Sequence, residues 1–253
     1  QATTTTTRLV SIGSYSGLSF ASSTAWITFS PGGALTNDGA LEFKNASTTF
    51  SSASTLTIGG SGLYLFRQDA NLRLSAPTIN QNGYFGNSSS LNLTIGNGTA
   101  TTVFNLQNTS STTALTLNNL TIKNNATTTH QTNSTGNIYA VNLNVLGDLT
   151  IESGGAIDVS GKGFAGGNGA NYGGTYYGGN GGSGGGAIKL VVGGTATING
   201  IVSANGSTGG AGNGNGSTHT QGSGANGSGT GYGTGGSHDS SGYGGGGGGY
   251  GGG

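Results

Sequence analysis

The chain has neither cysteine nor methionine, only 2 prolines, and only 6% charged residues in its 253 positions. Without cysteine it can form no disulfide and no thiolate metal site. Its 7 basic and 7 acidic residues cancel to a net charge of zero, which argues against nucleic-acid binding because phosphates demand a basic face. Ordinary soluble proteins carry about 25% charged residues, so neutral polar groups, attached sugar or self-assembly must cover this surface.

Long apolar runs are also missing. No stretch of 18 or more apolar residues occurs in the sequence, so it predicts no transmembrane helix. The first residue is Gln1, which we interpret as the start of a mature chain after signal-peptide removal. A chain without sulfur also resists oxidation. We therefore expect an extracellular or cell-surface location.

Helix signals are nearly absent, because apolar residues do not recur at intervals of three and four. Short alternating segments occur instead, such as 26–29, 63–66 and 72–74, and turn residues separate them, as at 30–33 and 37–39. Threonine, serine, glycine, asparagine and valine favour strands and turns over helices. The sequence therefore predicts an all-β protein.

A repeated triplet indicates the kind of β-structure. Leu-Thr-Ile occurs at 56–58, 93–95, 120–122 and 149–151, with a degenerate copy at 196–198. The irregular spacing fits a parallel β-helix or solenoid, in which repeats share a strand position but differ in loop length. In this model leucine and isoleucine point inward, and threonine, asparagine and aspartate point outward.

A second architecture remains open for roughly the first 90 residues. Segments there resemble hairpins, so a β-sandwich of jelly-roll type preceding the solenoid is the alternative. We divide the chain into an N-terminal strand or arm (1–12), a β-rich domain of sandwich or early solenoid coils (13–139), and β-helix coils with glycine-rich loops (140–253).

Glycine dominates the C-terminal part. Of 57 glycines, 43 lie from Gly154 onward, without the collagen period of three. We interpret 161–186 as one long insertion between coils, from which the chain returns as the strand-like segment 187–192. A second glycine-rich loop covers 206–253.

The C-terminal part resembles a family of proteins. The segment Asp148 to Gly161, followed by a glycine loop and by Gly184 to Leu190, resembles large glycine-rich surface proteins and adhesins of microbes with right-handed parallel β-helix repeats. The resemblance covers about residues 140–253. It implies export, an extended shape, and a role in adhesion or cell-surface structure.

Two sets of residues are candidates for modification or contact. Sequons for N-glycosylation are dense, although composition alone also produces many in a chain this rich in asparagine, serine and threonine. The glycosylation candidates are Asn45, Asn87, Asn92, Asn97, Asn108, Asn119, Asn125 and Asn133. The candidate interface or adhesive residues are Leu9, Val10, Tyr172, Tyr176, Tyr177, Tyr232, Tyr243 and Tyr250.

Signals for catalysis or metal binding are weak. The G-x-G-x-x-G at 161–166 is followed by more glycine rather than by the helix that a dinucleotide site needs. The only enzyme-like constellation is Asp148, Glu152 and Asp158, as on a polysaccharide-cleaving β-helix, and capping or salt-bridge roles explain these acids equally. We expect no catalytic, cofactor or metal site, and we expect the protein not to be an enzyme.

Two functions follow as hypotheses. The first is a non-catalytic extracellular structural protein that assembles head to tail into a filament or surface layer, with strand 1–12 completing the sheet of the next subunit. The second is an adhesin or phage-fibre-like module that binds glycans or cell surfaces through its tyrosine and glycine loops.

Overall fold

The prediction of an all-β protein is confirmed for the part of the chain that the structure describes. This computed structural model describes residues 3–12, 17–21, 24–37, 40–44, 47–53, 55–60, 63–67, 70–86, 88–135, 138–166, 171–172, 175–176 and 182–208. Within these ranges every regular element is a strand except one 3₁₀ turn at Ser88–Ser90. None of the described elements is a helix of the length and apolarity that would cross a bilayer.

The strands are short and evenly spread along the chain. They are β1 (Thr3–Ile12), β2 (Gly17–Ala21), β3 (Thr24–Asn37), β4 (Ala40–Lys44), β5 (Ser47–Ser52), β6 (Thr55–Gly59), β7 (Leu63–Arg67), β8 (Ala70–Ser75), β9 (Thr78–Gln81), β10 (Tyr84–Gly86), β11 (Leu91–Ile95), β12 (Thr102–Leu106), β13 (Leu115–Leu117), β14 (Asn119–Ile122), β15 (Ala126–His130), β16 (Val141–Val145), β17 (Leu149–Ile151), β18 (Ala156–Asp158), β19 (Asn171–Tyr172), β20 (Thr175–Tyr176), β21 (Ile188–Val192), β22 (Ala196–Ile198) and β23 (Ile201–Ser203).

The strands form three rows. Row A contains the first halves of β1 and β3, then β5, β8, β11, β14, β17 and β22; row B contains their second halves, then β6, β9, β12, β15, β18 and β23. Together these rows make one 14-stranded sheet. Row C is split into a four-stranded sheet (β2, β4, β7, β10) and a three-stranded sheet (β13, β16, β21). The chain visits A, B and C in turn, so each visit is one repeat.

Pairing within the N-terminal part rules out the hairpins that the sandwich alternative required. The aligned pairs β2–β4, β4–β7, β3–β5 and β5–β8 all run parallel, whereas a two-residue hairpin joins antiparallel strands. The prediction of hairpins here is therefore wrong for the described strands. Residues 30–33, which we predicted to form a turn, lie within β3.

The Leu-Thr-Ile triplets mark row A, with one exception. The triplets at 93–95, 120–122, 149–151 and 196–198 are aligned residue for residue in β11, β14, β17 and β22. Their leucines and isoleucines point inward and their threonines outward in the first three of these strands. The triplet at 56–58 belongs to β6 in row B, so its assignment to the same column was wrong.

Row C supplies an aromatic part of the core. Phe43 and Phe66, aligned in β4 and β7, stack with ring centroids 5.1 Å apart and planes 9° from parallel. Phe85 in β10 meets Phe66 edge-on at 5.2 Å. Tyr64 is buried and donates its hydroxyl to Gly59 O at 2.7 Å. Each ring thus rests on the ring of the next strand, which fixes the register of this row.

Loop length varies at one corner of the repeat. Between rows A and B the connections are short, for example 76–77 and 152–155. Between rows B and C they grow from 2 residues (82–83) to 8 (107–114), 10 (131–140) and 29 (159–187). The irregular spacing of the triplets arises chiefly from this corner.

The chain divides into two compact units. Unit 1 comprises residues 1–130, 140–158 and 189–202, and unit 2 comprises 131–139, 159–188 and 203–253. In unit 2 backbone bonds join separate segments, such as Val159 N to Ser203 O at 2.9 Å. The hydroxyls of Ser183 and Ser207 lie 2.7 Å apart. Unit 2 therefore contains the two longest connections of the B-to-C corner.

Candidate functional site

The last strands of the three rows expose apolar side chains. Ile198 is 47% exposed, Ile201 62%, Val202 42% and Val191 47%. In the described part of the chain, β21, β22 and β23 each have one neighbouring strand only. We call this set of strands the end face of unit 1.

A comparison within one column shows how unusual this exposure is. Ile95, Ile122 and Ile151 occupy the same register position as Ile198, and each of the three is 0% exposed. Side chains in such a column are covered by the strands on both sides. Ile198 has the same side chain in the same position but lacks one of the two covering strands, so its exposure is that of an interrupted stack.

The end face carries no device that discourages strand pairing. Natural edge strands are commonly blunted by charged residues or proline, and β22 (Ala-Thr-Ile) and β23 (Ile-Val-Ser) contain neither. Terminal repeats of solenoids usually present a polar outer face to water. The end face therefore has the chemistry of an interior strand layer.

Strand β1 lies at the other end of the row order. It pairs in parallel with β3 of the same chain, so Leu9 aligns with Ala34 and Val10 with Leu35. The predicted N-terminal arm is thus part of the sheet in this chain. In the described residues β1 has β3 as its one neighbour, and its second edge faces away from it.

Asparagine side chains form a ladder across row A. Asn92 donates to Asn71 Oδ1 at 3.2 Å, and Asn119 donates to Asn92 Oδ1 at 2.8 Å. Asn119 Oδ1 accepts the backbone N–H of Asp148 at 2.6 Å, and Asp148 Oδ1 accepts that of Thr195 at 2.8 Å. The residue before each triplet is therefore asparagine or aspartate because it bonds to the neighbouring repeat.

The candidate glycosylation residues lie in different surroundings. Asn92 and Asn119 belong to the ladder, Asn97 is exposed in a turn where its Oδ1 accepts the N–H groups of Thr99 and Ala100. Asn108 donates to Gly83 O at 2.7 Å, and Asn133 is buried with its Oδ1 on Tyr139 N. Asn125 is exposed and has a φ of 59°. Asn45 and Asn87 lie outside the described residues.

Glycan occupancy is expected to separate these sequons. A glycan on Asn92 or Asn119 would remove an amide hydrogen from the ladder and would have to fit between strands about 4.8 Å apart. In the folded fraction from a glycosylating host, we expect peptide mass mapping to find glycan at Asn97 and none at Asn92 or Asn119. Glycan at Asn119 in folded protein would contradict the ladder as a constraint.

The candidate aromatic residues are only partly within the described chain. Asn171–Tyr172 and Thr175–Tyr176 form a two-stranded antiparallel pair in unit 2. Tyr177, Tyr232, Tyr243 and Tyr250 lie outside the described residues, as does most of the loop 206–253. Their predicted contact role stays a prediction.

The three acids of the enzyme-like constellation have separate partners. Asp148 belongs to the ladder. Glu152 Oε1 lies 2.6 Å from Lys123 Nζ, and Glu152 Oε2 accepts the N–H of Asn124 at 3.1 Å. These hydrogen bonds hold the pKa of Glu152 below its ordinary value. Asp158 is half-buried in β18. Within the described ranges no three His, Asp or Glu residues converge as metal ligands do.

Sequence reasoning did not single out Ile201, Val202 or Val191 of the end face. The available signal was the degenerate triplet 196–198, which continues the row A pattern but is followed by no further triplet. Comparison with family models, with curated proteins and with solved structures finds no match.

Proposed function

We propose that the protein is a non-catalytic extracellular structural protein whose parallel β-helix assembles head to tail into a filament or surface layer. The observation that carries the proposal is the 47% exposure of Ile198 in a column whose other isoleucines are 0% exposed. Burying apolar area is worth about 25 cal/mol per Å², so an apolar strand layer in water favours a partner that continues the stack.

A second copy of the chain is the partner that matches the register. Strand β1 spans rows A and B in one segment, as β22 and β23 do together. Through successive pairings Thr4 occupies the same column as Thr94, Thr121 and Thr150. Stacking β1 of one copy on the end face of another would continue that column past Thr197. Such a heterologous contact does not close and gives a fibre.

The low charge and the ladder also support a structural role. Asp148 and Glu152 are used in bonds between neighbouring strands, which is the capping and salt-bridge role that we weighed against catalysis. A surface of neutral amides and hydroxyls gives little electrostatic repulsion between copies. The alternative of adhesion through the tyrosine and glycine loops rests on residues that lie mostly outside the described chain.

The test compares Ile198→Lys with Leu146→Lys. Leu146 is 48% exposed, so both changes add the same charge to an equally exposed apolar residue, but Leu146 lies in the connection between β16 and β17. We expect electron microscopy and sedimentation velocity to show filaments for the unmodified chain and Leu146→Lys, and monomers for Ile198→Lys. An unmodified chain that stays monomeric at high concentration would refute the proposal.

A further inference from the structure

A groove opens where row C is interrupted. β10 ends one sheet and β13 begins the next, although they belong to consecutive repeats, and the described strands of row C do not pair across this gap. The preceding connection has lengthened from 82–83 to 107–114, and the 3₁₀ turn Ser88–Ser90 lies beside the gap. The result is a groove of about 420 Å³ in unit 1.

The groove wall presents one exposed ring among neutral polar groups. Tyr84 is 66% exposed, although large aromatic side chains are usually mostly buried. The lining also includes Asn82, Ser89, Asn108 and Thr113. No Asp, Glu, Lys, Arg or His occurs among the described lining residues. The groove is therefore amphipathic and uncharged.

One acceptor in the wall is held in place without a partner. Asn108 donates its Nδ2 to Gly83 O at 2.7 Å, and the same carbonyl accepts Gln81 Nε2 at 2.6 Å. Gly83 itself is packed against the ring of Tyr64, which leaves no room for a Cβ. The amide of Asn108 is thus fixed in orientation, while its buried Oδ1 has no hydrogen-bond partner. An unsatisfied buried acceptor costs about 1–3 kcal/mol, so a donor arriving there is favoured.

We propose that this groove binds a neutral saccharide. Its volume falls in the range of about 300–1,000 Å³ that is typical of small-molecule sites. Sugar hydroxyls supply donors for Asn108 Oδ1 and partners for Ser89 and Thr113, and the apolar face of a sugar ring packs on Tyr84. A charged ligand would find no counter-charge there, and an apolar ligand would leave the polar wall desolvated.

The probes are cellobiose, maltose, lactose, mannobiose and N,N′-diacetylchitobiose, tested on the full chain by saturation-transfer NMR and titration at millimolar concentration. We expect at least one to bind. Tyr84→Ala should weaken binding at least tenfold, Tyr84→Phe should keep it within about threefold, and Leu146→Ala, outside the groove, should leave it unchanged. Ser89→Trp, which fills the rim, should also abolish binding.

No binding of any probe would overturn the proposal. Binding that Tyr84→Ala and Ser89→Trp leave intact, with unchanged circular dichroism, would overturn it too. The outcome is independent of the proposed assembly, because the groove lies between β10 and β13 and the end face comprises β21, β22 and β23. A chain that forms filaments but binds no sugar, or the reverse, distinguishes the two.

Discussion

Replacing Phe66 by alanine is expected to lower the free energy of unfolding by about 3–5 kcal/mol. The side chain is 0% exposed and contacts the rings of Phe43 and Phe85 on the two neighbouring strands. Truncation removes both aromatic contacts and leaves a cavity whose walls are held by backbone pairing, so collapse is limited. For a chain of this size that loss corresponds to a Tm decrease of about 6–20 °C.

Thermal unfolding followed by circular dichroism checks this result. Phe66→Leu keeps most of the volume and is expected to lose less, whereas Tyr84→Ala, an exposed ring in the same row, is expected to stay within about 0.5 kcal/mol of the unmodified chain. Equal losses for Phe66→Ala and Tyr84→Ala would show that the stacked rings do not determine the stability of row C.

Replacing Gly200 by alanine is expected to detach the last strands of rows A and B. A Cβ at this position would lie 2.1 Å from Gly155 O, 2.6 Å from Glu152 O and 2.8 Å from Ile151 Cγ2. Two of these atoms are backbone oxygens, which cannot rotate away. The flanking bonds, Asn199 N to Ile151 O at 2.9 Å and Ile201 N to Gly155 O at 3.0 Å, must therefore lengthen or break.

Hydrogen exchange at the amides of residues 199 and 201 measures the effect. Overpacking of this kind costs about 1–3 kcal/mol and sometimes more, so we expect exchange to accelerate about 100-fold at the upper end of that range. Gly98→Ala is the control, since nothing lies within 4 Å of its Cβ position and only its φ of +84° is unfavourable. Unchanged protection in Gly200→Ala would show that the close approach is relieved without cost.

Alternation in the sequence predicted which residues face inward but not how strands pair. Leu149, Thr150 and Ile151 are buried, half-buried and buried, as the period of two requires. Parallel and antiparallel strands share that period, so the pattern at 26–43 was compatible with hairpins and with parallel rows alike. Pro31 and Gly32 strengthened the hairpin interpretation, yet they lie where β3 passes from row A to row B.

The triplet spacing was informative only within one row. Offsets of 27 and 29 residues between Leu93, Leu120 and Leu149 connect neighbouring strands of row A, whereas Leu56 belongs to row B. An identical in-out-in triplet suits either row, so identity alone cannot assign it. The end face and the groove were not predicted because each depends on a strand that a row lacks, which local pattern does not record.

The corner between rows B and C has a practical consequence. Connections of 2 to 29 residues occur there while the strands on either side keep their register. Closing a longer loop costs only about 0.6 kcal/mol for each doubling of its length, and a strand in such a stack is held by its row neighbours. Foreign peptides grafted into 107–114 or 131–140 would therefore be displayed at regular intervals along a scaffold that need not be redesigned to carry them.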